Sequence, residues 1–210
     1  SLCMGETTTL SVSGGTTYEW NTGATTQDIT ITPTQTTTYT VTVTDINGCT
    51  DEDEVTVEVF ELPEASIEGE SEICTQEEIE LTAEGGTSFV WRDGSTAAAI
   101  FVSPTESTTY EVTVTDANGC TASATHTVDV NENTTSEISS NAELCYGEQV
   151  DLTASGGVTY VWSTGETTAT INVTPTTTTI YSVIVTDTNG CTALEESTVV
   201  VHPLPQADAG

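Results

Sequence analysis

The chain has no lysine, a single arginine (Arg92), a single methionine (Met4), little leucine, and no apolar run long enough to span a bilayer. Each scarcity closes off a reading. Without lysine, no Lys–Asn isopeptide cross-link can form. One basic residue against 33 acidic ones gives a formal net charge of -32. Such a surface repels phosphates and anionic membranes, which argues against nucleic acid and against membrane insertion. It would attract divalent cations, and it keeps many copies soluble and apart. Helical apolar spacing is missing, as is a signal peptide. No nucleophile–base pair, phosphate loop or paired acid stands out. The sequence therefore predicts no catalysis and calls for no cofactor.

What is present is a period of 71 residues. It relates Cys3, Cys74 and Cys145, and it relates Cys49, Cys120 and Cys191. Trp20, Trp91 and Trp162 keep the same step, as do Pro33, Pro104 and Pro175, and Tyr39, Tyr110 and Tyr181. Spacing without slippage means one small domain copied in tandem. The expected divisions are 1–62, 63–133 and 134–204, the first without its lead-in strand, with 205–210 opening a further copy. Ser1 falls in register with Glu72 and Glu143, which predicts that the chain is a segment of something longer. Proline at Pro63, Pro203 and Pro205 is expected to stiffen the joints.

Threonine fills nearly a quarter of the chain, and Val, Ile and Tyr supply much of the apolar content, a composition suited to pleated surfaces. In the middle copy Ile79, Leu81 and Ala83 alternate with polar residues. Phe89 and Trp91, Ile100 and Val102, then Tyr110, Val112 and Val114, and finally Val128 and Val130 do the same. Turn residues bound each run, and Asp116-Ala117-Asn118-Gly119 reads as a tight type I′ hairpin. The other copies repeat the pattern at equivalent positions. Five short alternating runs predict an all-β fold of three tandem β-sandwich domains in a linear array. Strand length predicts about 35 Å for each.

Domains this small usually need a staple, and each copy has two cysteines. Of the fifteen ways to join six cysteines, the period leaves two to weigh. One closes each copy on itself, as Cys3–Cys49, Cys74–Cys120 and Cys145–Cys191. The other ties neighbours, as Cys49–Cys74 and Cys120–Cys145. The strand after Cys120 runs about 30 Å to the far end of the sandwich, so the neighbour-tying scheme cannot close. Placing Cys74 near the hairpin tip that carries Cys120 favours the first scheme, worth about 4 kcal/mol per copy in the chain-entropy model. Disulfides imply an oxidising, extracellular compartment. Three pairs of free thiols, and a zinc site lacking two of its ligands, are the weaker alternatives.

The string Cys145-Tyr146-Gly147-Glu148, followed by LTASGG, YVWSTG, PTTTT and VTDTNGC, resembles the immunoglobulin-like repeats of Bacteroidota surface proteins. The likeness runs through the whole chain three times. Such repeats occur in very large adhesins, including gliding-motility adhesins, and beside type IX secretion sorting domains. The resemblance implies immunoglobulin-like domains exported to the cell surface, acting as stalk or adhesive fibre. The cysteine placement departs from the antibody arrangement, in which the bridge joins two core strands.

Several residues invite a site reading. Glu6, Glu77 and Glu148 follow the first cysteine of each copy, and Asp45, Asp116 and Asp187 stand at the hairpin. If both groups lie at one end of the domain, their oxygens are candidates to hold calcium. The plainer reading is turn-shaping Asp and solvated Glu. Trp20, Trp91 and Trp162 offer stacking surfaces for sugars, but their inward face assigns them to the core. The acidic run Asp51-Glu52-Asp53-Glu54 reads as a solvated strand entrance, and His126 and His202 lack repeated partners. Asn133 and Asn172 begin sequons of a kind common by chance in Thr-rich chains. The sequence thus predicts a structural segment of a long extracellular fibre or adhesin whose partners are neighbouring repeats, and also surface glycans or other cells. A binding module, a spacer on a secreted enzyme, and a filament joined by exchanged edge strands are the alternatives.

Overall fold

A computed structural model describes residues 1–139 and 142–208. The further copy expected at 205–210 therefore lies partly outside the described residues, at Ala209 and Gly210. Every regular element among the described residues is a strand. The first copy contains β1 (Leu2–Cys3), β2 (Thr8–Ser11), β3 (Thr17–Trp20), β4 (Asp28–Ile31), β5 (Thr37–Thr44), β6 (Thr50–Val57) and β7 (Val59–Phe60). The second contains β8 (Ser66–Glu68), β9 (Glu72–Cys74), β10 (Ile79–Glu84), β11 (Ser88–Trp91), β12 (Ala99–Val102), β13 (Thr108–Thr115) and β14 (Thr121–Asn131). The third contains β15 (Glu137–Ile138), β16 (Glu143–Cys145), β17 (Val150–Ser155), β18 (Thr159–Trp162), β19 (Thr170–Val173), β20 (Thr179–Thr186) and β21 (Thr192–His202).

The chain is all-β and immunoglobulin-like. In the second copy one sheet runs β12-β10-β8 and the other β11-β13-β14-β9; in the third they run β15-β17-β19 and β16-β21-β20-β18. The first copy has β2-β4 and β3-β5-β6, with β1 beside β7. Period-two alternation sends one side chain in two between the sheets. In the third copy Leu152, Ala154, Trp162, Ile171, Tyr181, Val183, Val185 and Val199 form one buried cluster. Trp20, Trp91 and Trp162 are 4%, 2% and 2% exposed. Each indole N–H donates to a carbonyl six residues on, at Thr26, Ala97 and Thr168, over 2.8–3.0 Å. A buried indole with its one donor satisfied has no face left for a sugar.

The residues divide into two compact units: Ser1–Gly69 with Glu80–Val102 and Thr109–His126, and Glu70–Ile79 with Ser103–Thr108 and Thr127–Gly210. This division runs through the middle copy rather than along its ends.

The hairpins depart from the type I′ expectation. Gly48, Gly119 and Gly190 carry φ of +84°, +88° and +87°, whereas Asn47, Asn118 and Asn189 are not in the positive-φ region. Asp45 N–H donates to the Cys49 carbonyl and Gly48 N–H to the Asp45 carbonyl. The loop therefore has three residues and ends on a left-handed glycine, the three-residue hairpin with a bulge. A type I′ turn would need positive φ at asparagine too. Here the Asp side chain instead takes the N–H groups of Asn47 and Cys49, at 2.7 and 2.9 Å, and fixes the wider loop.

Candidate functional site

Two local structures hold the cysteines. The first cysteine of each copy ends a short strand that runs parallel to the tail of that copy's last strands. Cys3 is level with Phe60, Cys74 with Asn131 and Cys145 with His202. A turn follows in which the Glu6, Glu77 and Glu148 N–H groups donate to the cysteine carbonyls three residues back. The same glutamates return a carboxylate oxygen to the cysteine N–H, at 2.8, 3.1 and 2.7 Å. The third turn residue has positive φ, +87° at Gly5, +72° at Gln76 and +91° at Gly147, as a type II turn requires.

The second cysteine follows the hairpin. Cys49, Cys120 and Cys191 each donate N–H to the preceding Asp45, Asp116 or Asp187, at 2.9, 2.8 and 2.9 Å. Asp45 is held below the ordinary carboxylate value of 3.8, chiefly by the Cys49 N–H and then by the Asn47 side chain. At Asp116 desolvation pulls upward, but the N–H groups of Cys120 and Asn118 outweigh it and the net shift is downward.

The structure bonds Cys3 to Cys120 and Cys74 to Cys191, each pair with Cα atoms 5.5 Å apart and 117 residues apart in sequence. Each bridge lies within one of the two units, Cys3–Cys120 in the first and Cys74–Cys191 in the second. This corrects the expected pairing of Cys3 with Cys49, Cys74 with Cys120 and Cys145 with Cys191. The reason is the end of the sandwich at which the first cysteine sits. Cys74 is level with Asn131, at the far end of a strand that starts one residue after Cys120. Eleven residues at 3.3 Å put the two cysteines of one copy about 35 Å apart, several times the reach of a disulfide. The same strand length that rules out Cys120–Cys145 also rules out Cys74–Cys120. The first cysteine of one copy meets the second cysteine of the next. Cys49 and Cys145, expected to be bridged, are exposed free thiols.

The bridge also relocates the acidic candidates. Glu77 and Asp116 do not share an end of their copy; they stand at opposite ends of β14, beside Cys74 and Cys120. Through the bridges, Glu6 shares a junction with Asp116, and Glu77 with Asp187. Every carboxylate of Glu6, Asp45, Glu77, Asp116, Glu148 and Asp187 is committed to backbone N–H groups of its own turn. Among the described residues, no group of three or more His, Cys, Asp or Glu side chains is placed to hold a metal ion. The Asp51–Glu54 run lies exposed on β6. His202 Nε2 is 3.2 Å from Glu143 Oε2 on the surface, and Asn172 donates to Asp151 at 2.7 Å.

The sequence did hold a signal for the true pairing. Leu2, Ile73 and Leu144 precede the first cysteines, and they align with Val59, Val130 and Val201 at the tail of each copy. Two apolar positions of that kind invite pairing at the sheet edge but suit either strand direction, so they did not by themselves select the parallel pair.

No family model matches the sequence, and no curated protein matches it. Among solved structures, the three N-terminal domains of the bacteriophage RB49 highly immunogenic outer capsid protein are similar at 15% identity and TM-score 0.41, with 96% of each chain covered. A structure from a 1.5-MDa bacterial ice-binding adhesin is similar at 16% identity and TM-score 0.35, covering 95% of this chain and 91% of that one. Immunoglobulin domains 1–5 of sidekick-1 are similar at 15% identity and TM-score 0.31; 97% of this chain is covered, and it spans 57% of that structure's length. These neighbours are immunoglobulin-like arrays and bacterial adhesins, and at such scores they identify neither a family nor a ligand.

Proposed function

We propose that this chain is a non-enzymatic structural segment of a long extracellular surface fibre or adhesin, its repeats divided at 1–62, 63–133 and 134–204. The carrying observation is the stagger of the bridges: each joins cysteines of successive copies, 117 residues apart. A staple inside one copy would stabilise that copy alone. A staple from one copy to the next lets load pass between them through sulfur, leaving the backbone between Cys74 and Cys120 as the loaded link. The two loops overlap between Cys74 and Cys120, so together they cover the backbone from Cys3 to Cys191. Pairing of this kind belongs to an oxidising, extracellular compartment. The acidic surface keeps fibres from clumping sideways. The surface location, the Bacteroidota affinity, the type IX route and the link to gliding motility follow the sequence resemblance.

The test is single-molecule stretching. With both bridges intact, the pulled chain should stop at roughly 240 Å, because load crosses the sulfurs; after reduction it should reach roughly 700 Å, its full backbone length. Equal lengths before and after reduction would sink the load-bearing role.

One observation favours a second reading, a binding module for a surface glycan or another cell. Val161, Ile184 and Leu194 lie directly opposite one another across β18, β20 and β21, and all three are exposed. The first copy has Glu19, Thr42 and Glu52 in those positions. An apolar row on an otherwise Thr-rich acidic surface is a contact face in search of a partner.

A further inference from the structure

We propose that β12 is a strand-addition site, and that its occupant is an extended cationic peptide in which basic and apolar residues alternate. The first observation is position. Among the described residues β12 is the outermost strand of its sheet, in the order β12-β10-β8. The equivalent pairs, β2 with β4 and β17 with β19, are antiparallel. The Ala83 N–H donates to the Ala98 carbonyl, so Ala98, Ile100 and Val102 turn their backbone groups toward β10. Ala99 and Phe101 therefore present N–H and C=O at the open edge, the template that a further strand needs.

The second observation is a difference between copies. The inward residues of the equivalent edge strands are buried: Ile29 and Ile31 of β4 are 6% and 8% exposed, and Ile171 and Val173 of β19 are 4% and 7% exposed. Ile100 and Val102 are only half-buried. On the outward face the three copies carry Thr30, Phe101 and Asn172, and Phe101 is 68% exposed. Charge and polar ties blunt the other two edges: β4 begins on Asp28, and Asn172 is bonded to Asp151. β12 reads Ala-Ile-Phe-Val, and no charged residue stands between Asp93 and Glu106.

The third observation, charge, names the occupant. In the register that joins β17 to β19, Glu80 falls opposite Phe101. Glu80 and Glu84 lie on the exposed face of β10, and exposed Glu68 of β8 pairs with Thr82. Phe101 thus borders an acidic face on a chain of net charge -32. A second copy of β12 would bring like charge and be repelled, whereas a cationic chain is drawn in. Period-two alternation then sorts the side chains of the added strand. Apolar ones fall beside Ile100 and Val102 and complete their burial. Basic ones fall beside Phe101, over its ring and toward Glu80. Backbone pairing supplies the affinity, and the two rows of side chains supply the selectivity. All of these residues belong to one compact unit, and the site stands whether or not the chain serves a fibre.

The test titrates a labelled peptide of about ten residues, lysine and valine in alternation, with the intact chain and reads fluorescence anisotropy. Saturable one-to-one binding is expected, tighter at low salt. Phe101→Thr, which installs the residue of the first copy, should weaken it about tenfold. Phe101→Lys should abolish it. Ile180→Lys makes the same charge change at a residue of the third copy that is 61% exposed, and should leave affinity within about twofold. Both sites are exposed, so folding is checked by the persistence of Cys3–Cys120 and Cys74–Cys191 and by an unchanged denaturation midpoint. A glutamate–valine peptide should not bind, nor should a lysine–proline peptide, which cannot hold a ladder. Absence of binding at low salt would overturn the proposal. Equal losses in Phe101→Lys and Ile180→Lys, or lysine–proline binding as tight as lysine–valine, would reduce the effect to bulk charge and overturn it too. Dimerisation of the chain in sedimentation, lost in Phe101→Lys, would give the edge to a second copy instead and end the peptide reading.

Discussion

Single residues decide the turns that aim the sulfurs. At the position two after the first cysteine, the copies have Gly5, Gln76 and Gly147, all at positive φ. A side chain in that region costs about 1 kcal/mol, because Cβ crowds the backbone. Gln76→Gly relieves that cost but adds freedom to the unfolded chain, so the net gain should be positive and below about 1 kcal/mol, read as a higher denaturation midpoint with Cys74–Cys191 intact. No change, or a loss, would mean that Gln76 makes a compensating contact. The indoles are governed at this scale too. Alternation in the sequence placed the three tryptophans on the inward face, and each is buried with its N–H bonded.

At the scale of elements, the hairpins couple stability to pH. Asp45 and Asp116 are depressed below 3.8 by N–H groups that only the folded loop aims at their carboxylates. A carboxylate whose folded pKa is lowered contributes stability that is complete above its unfolded pKa and lost as pH falls through the folded one. The acid limb of a denaturation profile should thus steepen below 3.8. Asp45→Asn with Asp116→Asn, which keep an accepting oxygen but cannot titrate, should flatten it. An unchanged limb would show that these loops do not set acid stability. The hairpins also show where sequence reasoning fell short. Asn-Gly signals a tight turn, but the aspartate two residues before the asparagine captures the loop N–H groups and selects a longer one.

Across the whole molecule, the cysteines that look alike in sequence are not equivalent. Closing a loop of more than 100 residues stabilises by about 5 kcal/mol in the chain-entropy model. Cys74→Ser should therefore cost several kcal/mol, measured by denaturant unfolding of the isolated chain. Cys145→Ser, at the same repeat position but unbridged, should cost less than about 0.5 kcal/mol, as for an exposed site. Comparable losses in the two variants would contradict the pairing of Cys74 with Cys191.

The period of 71 residues, the strands and their inward faces were fixed by local chemistry that a one-dimensional chain displays in full. Alternation needs only neighbours along the strand, and turn residues act within four positions. Which sulfur meets which was settled in three dimensions. Whether the leading strand runs parallel or antiparallel to the last one moves the first cysteine by the length of the sandwich, and no local signal is strong enough to choose. That choice, made by packing Leu2, Ile73 and Leu144 beside the tail strands, turned staples expected within repeats into staples between them.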